Sequence, residues 1–197
     1  MTSSVKLYGL VLSGGKSTRM GEDKGLITYH DVPQREHLYH LLNECCERTF
    51  LSIRADQKDS IPEDYQTIID TDEFRGPYNG LLSAHKKYPK VAWLVLACDL
   101  PLIDKSALEE LITGRDTSKI ATAYADAANP LPEPLCAIWE PQALEASVSY
   151  LEQGNGTCPR KFLINSDVNL VFPQRTEVLL NANSQTEYRE ALEKLAL

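Results

Sequence analysis

The sequence predicts an α/β protein built on a mostly parallel sheet, and three observations carry that reading. Short apolar runs alternate with segments of helical period from one end of the chain to the other. No low-complexity tract, long linker or internal repeat interrupts the alternation. The 197 residues, 43% hydrophobic and 24% charged, match a soluble globular domain and favour one compact unit over 1–197.

The elements follow in order. Leu7 to Leu12 is apolar throughout and bounded by Ser13-Gly14-Gly15, as expected of a central strand buried on both faces. Leu38, Leu41, Leu42 and Cys45 recur at three- and four-residue spacing, marking the buried face of a helix that begins near Pro33. Thr49 to Ile53 is the next strand, and Thr67-Ile68-Ile69 a short third one ending at Asp70. A Gly76-Pro77 turn leads into a helix from Tyr78 to about Tyr88, and Trp93 to Ala97 is strand four. Asp104 caps a helix carrying Ala107, Leu108, Leu111 and Ile112, with Gly114 as its stop. Ile120 to Tyr124 reads as a strand, and the Pro-rich stretch Pro130 to Pro134 precedes the apolar run Leu135 to Trp139. Pro141 opens a helix ending near Gly154, and a small helix is expected around Arg160 to Leu163. Val168 to Phe172 and Val178 to Leu180 both read as strands, and Ser184 to Glu187 forms a capping box before the last helix. Such a sheet places its site beyond the carboxyl ends of its strands.

Composition narrows the partners. A net charge of −8 argues against broad contact with nucleic acid or an anionic membrane, so a polyanionic ligand needs a local cationic pocket or a metal. The longest apolar runs fall far short of the roughly 20 residues of a spanning helix. With no export signal at its start, the chain is expected in the cytoplasm. Five cysteines without a CxxC pair suggest reduced, mostly buried thiols. His30, His37, His40 and His85 lack ligand-spaced partners and read as ordinary helix or surface residues rather than a metal site.

The most informative segment is Leu12 to Lys24, where a strand runs into three glycines and the cations Lys16, Arg19 and Lys24. Glycine lets backbone N–H groups approach phosphates closely, and the cations supply charge the acidic chain otherwise lacks. A Walker A loop ending at Gly15-Lys16-Ser17 would need glycine where Leu10 stands, and a dinucleotide fingerprint would need to open directly into a helix. Neither fits. Asp99 follows the strongest strand, where a carboxylate can hold a hard Mg²⁺ that keeps several waters and bridges phosphates. Taken alone, it could instead cap the turn at Pro101.

Leu12 to Lys24 resembles the L-x-G-G-x-S-x-R-M-G-x-D-K signature of nucleotidyltransferases related to molybdenum cofactor guanylyltransferase. The likeness continues at Gly76-Pro77-Tyr78-Asn79-Gly80 (G-P-L-x-G in the family) and at Ala97-Cys98-Asp99-Leu100-Pro101 (C-D-x-P). It extends more weakly through Glu133 to Trp139, Arg160 to Leu163 and Leu180 to Ser184, the last similar to an N-x-N-T segment.

The resemblance implies a Rossmann-like three-layer sandwich with a mostly parallel mixed sheet, like that of nucleotide-diphospho-sugar transferases. It also implies Mg²⁺-dependent transfer of GMP from GTP to the phosphate of molybdenum-bound molybdopterin, releasing pyrophosphate. Arg19, Lys24 and Asp99 then carry the chemistry, with Asp99 as metal ligand. Leu12, Ser13, Gly14, Gly15, Lys24, Asp70 and Asp99 contact the nucleotide. Arg160, Lys161, Asn181 and Asn183 line the acceptor pocket, and a transient partner protein of molybdenum cofactor biosynthesis fits the same picture. One departure stands out: the family often has an Asn after its second strand, where this chain has Arg54. An Arg cannot accept a hydrogen bond as an Asn amide can, which leaves CTP, or a sugar phosphate as acceptor, as rival readings. A nucleotide-binding regulator without catalysis is a third, opposed by the presence of both Lys24 and Asp99.

Overall fold

The order of the sheet explains where a ligand can bind. The computed structural model describes residues 5–15 and 24–196. Seven strands hydrogen-bond in the order β3-β2-β1-β4-β6-β5-β7. They are β1 (Leu7–Leu12), β2 (Arg48–Ile53), β3 (Thr67–Ile69), β4 (Ala92–Ala97), β5 (Ala121–Asp126), β6 (Asn129–Trp139) and β7 (Val168–Val171). β1 pairs in parallel with β2 on one side and β4 on the other, so the chain reverses its winding direction between β1 and β4. Only β6 runs against the rest, antiparallel to both β4 and β5. The reversal opens a crevice beyond the carboxyl ends of β1 and β4.

Helices cover both faces. On one lie α2 (Pro77–Lys87), α4 (Pro141–Glu152) and α5 (Pro159–Ile164), packed through Tyr78, Leu81, Leu144 and Phe162 against Leu10, Trp93, Val95 and Trp139. On the other, α1 (Gln34–Cys45) and α3 (Lys105–Thr113) pack through Leu38, Leu42, Leu108 and Leu111 against Val11, Leu51, Leu94 and Leu96. Residues adjacent in a strand thus feed opposite cores, which explains why β1 and β4 are apolar throughout. The last helix, α6 (Gln185–Leu195), uses Ala191 and Tyr188 against Tyr29, Leu102 and Ala182. Among the described residues no helix is long and apolar enough to cross a membrane.

The expected elements form close to their predicted bounds, with two differences. Val178 to Leu180 is not a strand: Thr176–Leu179 makes a 3₁₀ turn, with Leu180 N–H bonded to Glu177 O at 2.9 Å. Val178 is buried and packs against the core of the α1–α3 face. The chain must then return to the end of β4, where Ala182 N–H donates to Asp99 O at 2.8 Å. A three-residue apolar run does not distinguish a strand from a buried turn. The second difference is that the proline-rich stretch belongs to β6 itself. Pairing with β4 begins only at Cys136, and register shifts interrupt the pairing with β5. The prolines therefore sit where missing N–H groups disturb the sheet least.

Candidate active site

A cavity of about 680 Å³ occupies the crevice at the β1/β4 switch, within the size range of small-molecule sites. Its wall includes Leu12, Ser13, Gly14, Gly15, Lys24, Asp70, Asp99 and Asn183, eight of the residues singled out in the sequence. Arg160, Lys161 and Asn181 are not part of that wall. Arg160 forms an ion pair with Glu133 and donates from Nε to Pro132 O at 3.2 Å. Lys161 is exposed on α5, and the Asn181 amide donates to Leu179 O at 3.0 Å. Lys16 and Arg19 lie outside the described residues.

The glycines are set by close contacts. A Cβ on Gly14 would stand 2.2 Å from Asp70 Oδ2, and one on Gly80 would stand 2.3 Å from Ser52 Oγ, so neither position accepts a side chain without displacement. Gly76 has φ 62 and ψ −149, a conformation open in practice only to glycine, and it turns the chain into α2 at the cavity rim.

The departure from the family pattern has a structural role. Arg54 Nη1 donates to Gly14 O at 3.0 Å, and Gln57 Nε2 to Ser13 O at 3.1 Å. Gln57 Oε1 in turn accepts Arg54 N–H at 2.8 Å, and Asp56 Oδ1 accepts from Arg54 Nε at 3.0 Å. A trans peptide directs its C=O and N–H to opposite sides. With the Ser13 and Gly14 carbonyls held by this pair, the N–H groups of Gly14 and Gly15 face the other way, where an anion can use them.

Lys24, Asp99, Asp70 and Ser13 supply the polar chemistry. Lys24 Nζ stands 3.8 Å from Asp99 Oδ2 and donates to Asn183 Oδ1 at 2.5 Å. Burial lifts the Asp99 carboxyl above its ordinary value, against the pull of Lys24. Asp70, at the end of β3, accepts a hydrogen bond from Ser52 Oγ at 2.6 Å. Its burial outweighs that bond and pushes its carboxyl up to about 6. Among the described residues Ser13 Oγ, buried in the wall, has no hydrogen-bond partner, an arrangement that costs free energy unless a ligand completes it. The cavity also includes Ser52, Arg75 and Asn79, which sequence reasoning missed as site residues. Asn79 lies within the glycine-proline motif, and Arg75 is the cation just before that turn.

The Asp99 carboxylate is a hard oxygen donor, suited to a divalent cation that takes the rest of its shell from water and phosphate. Among the described residues no group of three or more His, Cys, Asp or Glu could enclose an ion without such help.

A parallel-dominated α/β sandwich with a glycine-lined, lysine-bearing cavity at its switch point defines the class, that of the NTP transferase fold. The sequence pattern of the MobA-like NTP transferase domain matches residues 9–169, and the chain belongs to that family. It is 41% identical over 187 residues to a molybdenum cofactor biosynthesis bifunctional protein of Synechocystis sp., covering 94% of this chain and 54% of the relative. It is 35% identical over 106 residues to a molybdenum cofactor guanylyltransferase of Pseudomonas entomophila, covering 52% of this chain and 55% of that one. The matched region spans about half the length of each of these two curated relatives. Its fold superposes on molybdopterin-guanine dinucleotide biosynthesis protein A from Archaeoglobus fulgidus with a TM-score of 0.79. The two chains are covered to 96% and 98%, at 20% identity.

Proposed function

We propose that residues 1–197 act as one nucleotidyltransferase domain that transfers GMP from GTP to the terminal phosphate of molybdopterin. The observation that carries this reading is the gathering of Gly14, Gly15, Lys24 and Asp99 around one cavity at the switch point of a MobA-like chain. The name of the Pseudomonas entomophila relative supports a guanylyl donor, and both names support the molybdenum cofactor as the acceptor.

In this reaction an oxygen of the acceptor phosphate forms a bond to the α-phosphorus of GTP as the bond to the bridging oxygen breaks. Pyrophosphate leaves with that electron pair. Negative charge grows on the phosphoryl oxygens and the leaving group, so the protein contributes positioning and fixed positive charge. The N–H groups of Gly14 and Gly15 hold phosphate oxygens, and the Lys24 ammonium neutralises the developing charge. Asp70 and the orphaned Ser13 hydroxyl complete the nucleotide contacts, and Asn183 faces the acceptor, with Arg160, Lys161 and Asn181 further out toward it. Arg19 joins Lys24 as a second phosphate cation. Mg²⁺ held by Asp99 would neutralise charge and orient the phosphates.

The test is a substrate screen. Incubation with labelled GTP or CTP, Mg²⁺ and molybdopterin is expected to release pyrophosphate with GTP. Release with CTP alone would overturn the base assignment, and release with neither would overturn the activity. Lys24→Ala should lower kcat by about 10²–10³, the scale of removing one charge-stabilising donor, and Asp99→Ala should abolish turnover while leaving the circular dichroism of the fold intact. Near-normal rates in either variant would remove its assigned role.

A further inference from the structure

The N-terminal cap of α6 does more than begin a helix. Ser184 is the N-cap residue and accepts from Glu187 N–H at 3.3 Å. In a capping box the acidic residue reaches back to the N-cap. Here the Glu187 carboxylate reaches one residue further: Oε2 accepts the Asn183 N–H at 2.8 Å as well as the Ser184 hydroxyl at 2.9 Å. Asn183 lines the cavity, and its side-chain oxygen accepts from Lys24 Nζ. A chain of three bonded residues therefore runs from the first turn of α6 to the ammonium beside Asp99.

An ammonium group has three donors on a flexible four-carbon stem, and holding it in one place costs side-chain entropy. Spending one donor on a fixed acceptor directs the other two. Asn183 is a fixed acceptor only if its own backbone is held, and it lies outside the regular bonding of α6. The Ala182–Asp99 bond anchors the residue before it, and Glu187 holds the Asn183 N–H itself.

We propose that Glu187 is a positioning residue: by fixing Asn183 it sets where the Lys24 ammonium stands at the cavity wall. This rests on the reading that Lys24 handles the triphosphate, and it assigns Glu187 no contact with substrate. A plain capping role predicts something different. Ser184→Ala removes the cap hydroxyl but leaves the Glu187–Asn183 bond, whereas Glu187→Ala removes that bond.

The experiment compares wild type, Ser184→Ala, Glu187→Ala and Glu187→Gln by two readouts. The first is the rate at which acetic anhydride labels Lys24, followed by mass spectrometry without nucleotide. The second is the split between kcat and KM for GTP. Glu187→Ala should speed Lys24 labelling about fivefold and lower kcat about tenfold with KM within threefold, a change of about 1.4 kcal/mol in the barrier. Glu187→Gln, which keeps an accepting oxygen, and Ser184→Ala should stay within twofold of wild type in both readouts. Unchanged labelling in Glu187→Ala, or the same changes in Ser184→Ala, would overturn the proposal in favour of helix capping. Should the wild type turn over no GTP, the functional reading fails by itself, and the labelling comparison still decides the role of Glu187.

Discussion

Asp70 shows how a carboxylate buried in the cavity wall weighs against stability. It is 9% exposed, and its carboxyl titrates at about 6 rather than at its ordinary 3.8. A raised carboxyl favours the protonated native state, so its contribution is fully present below pH 3.8 and is lost as pH rises through 6. At neutral pH the buried charge costs up to about 3 kcal/mol. Asp70→Asn keeps the shape and can still accept from Ser52, so it should raise the urea midpoint at pH 7 and not at pH 3.5. The same change should weaken GTP binding. A variant less stable than wild type at pH 7, or one stabilised equally at both pH values, would show that burial is not the governing effect. Arg54 teaches the complementary lesson. Its guanidinium cannot replace an Asn as an acceptor, but it holds the glycine-loop carbonyls that an acceptor could not hold.

Among the elements, a buried ion pair ties α3 to the junction of β6 and α4. Arg115, just beyond α3, binds both oxygens of Glu140, at 2.7 Å through Nε and 2.9 Å through Nη2, where β6 hands over to α4. The two side chains are 13% and 2% exposed. A buried pair of this kind contributes little net stability, because desolvation offsets attraction, yet removing one partner strands the other. Arg115→Met should therefore lower stability by about 3–5 kcal/mol. The double change Arg115→Met with Glu140→Leu should recover most of the loss. Chemical denaturation of the three proteins measures both effects, and a double variant as unstable as the single one would refute the account.

For the molecule as a whole, one source of acid sensitivity lies where α1 meets the segment beyond β4. His30 and His37 stack with ring centroids 3.6 Å apart, and His30 Nε2 lies 3.1 Å from Pro101 O. Burial first, then the neighbouring His30 and His40, pulls His37 down to about 4. A depressed histidine contributes stability that is present above pH 6.5 and lost as pH falls through 4. Asp70 acts in the opposite direction over an overlapping range, so wild-type stability alone does not separate the two. His37→Gln should flatten the pH dependence of the urea midpoint between pH 6.5 and 4 relative to wild type. An unchanged slope would place the acid sensitivity elsewhere.

What the sequence determined by itself is what short-range pattern encodes. Apolar runs located six of the seven strands closely, and the glycine loop, the glycine-proline turn and Asp99 mark residues that the fold brings to one cavity. Those signals are legible because a strand, a turn and a strand-end carboxylate each follow from a few neighbouring residues. Folding decided the rest. It made Val178 to Leu180 a turn, because the chain must leave the edge of the sheet and return to Asp99. It set Asp70 against Gly14 and gave Arg54 its carbonyls to hold. It also joined Lys24 to Asn183 across 159 positions of sequence. No periodicity encodes such pairs, since a hydrogen bond depends on distances fixed only when separate elements pack around a common core.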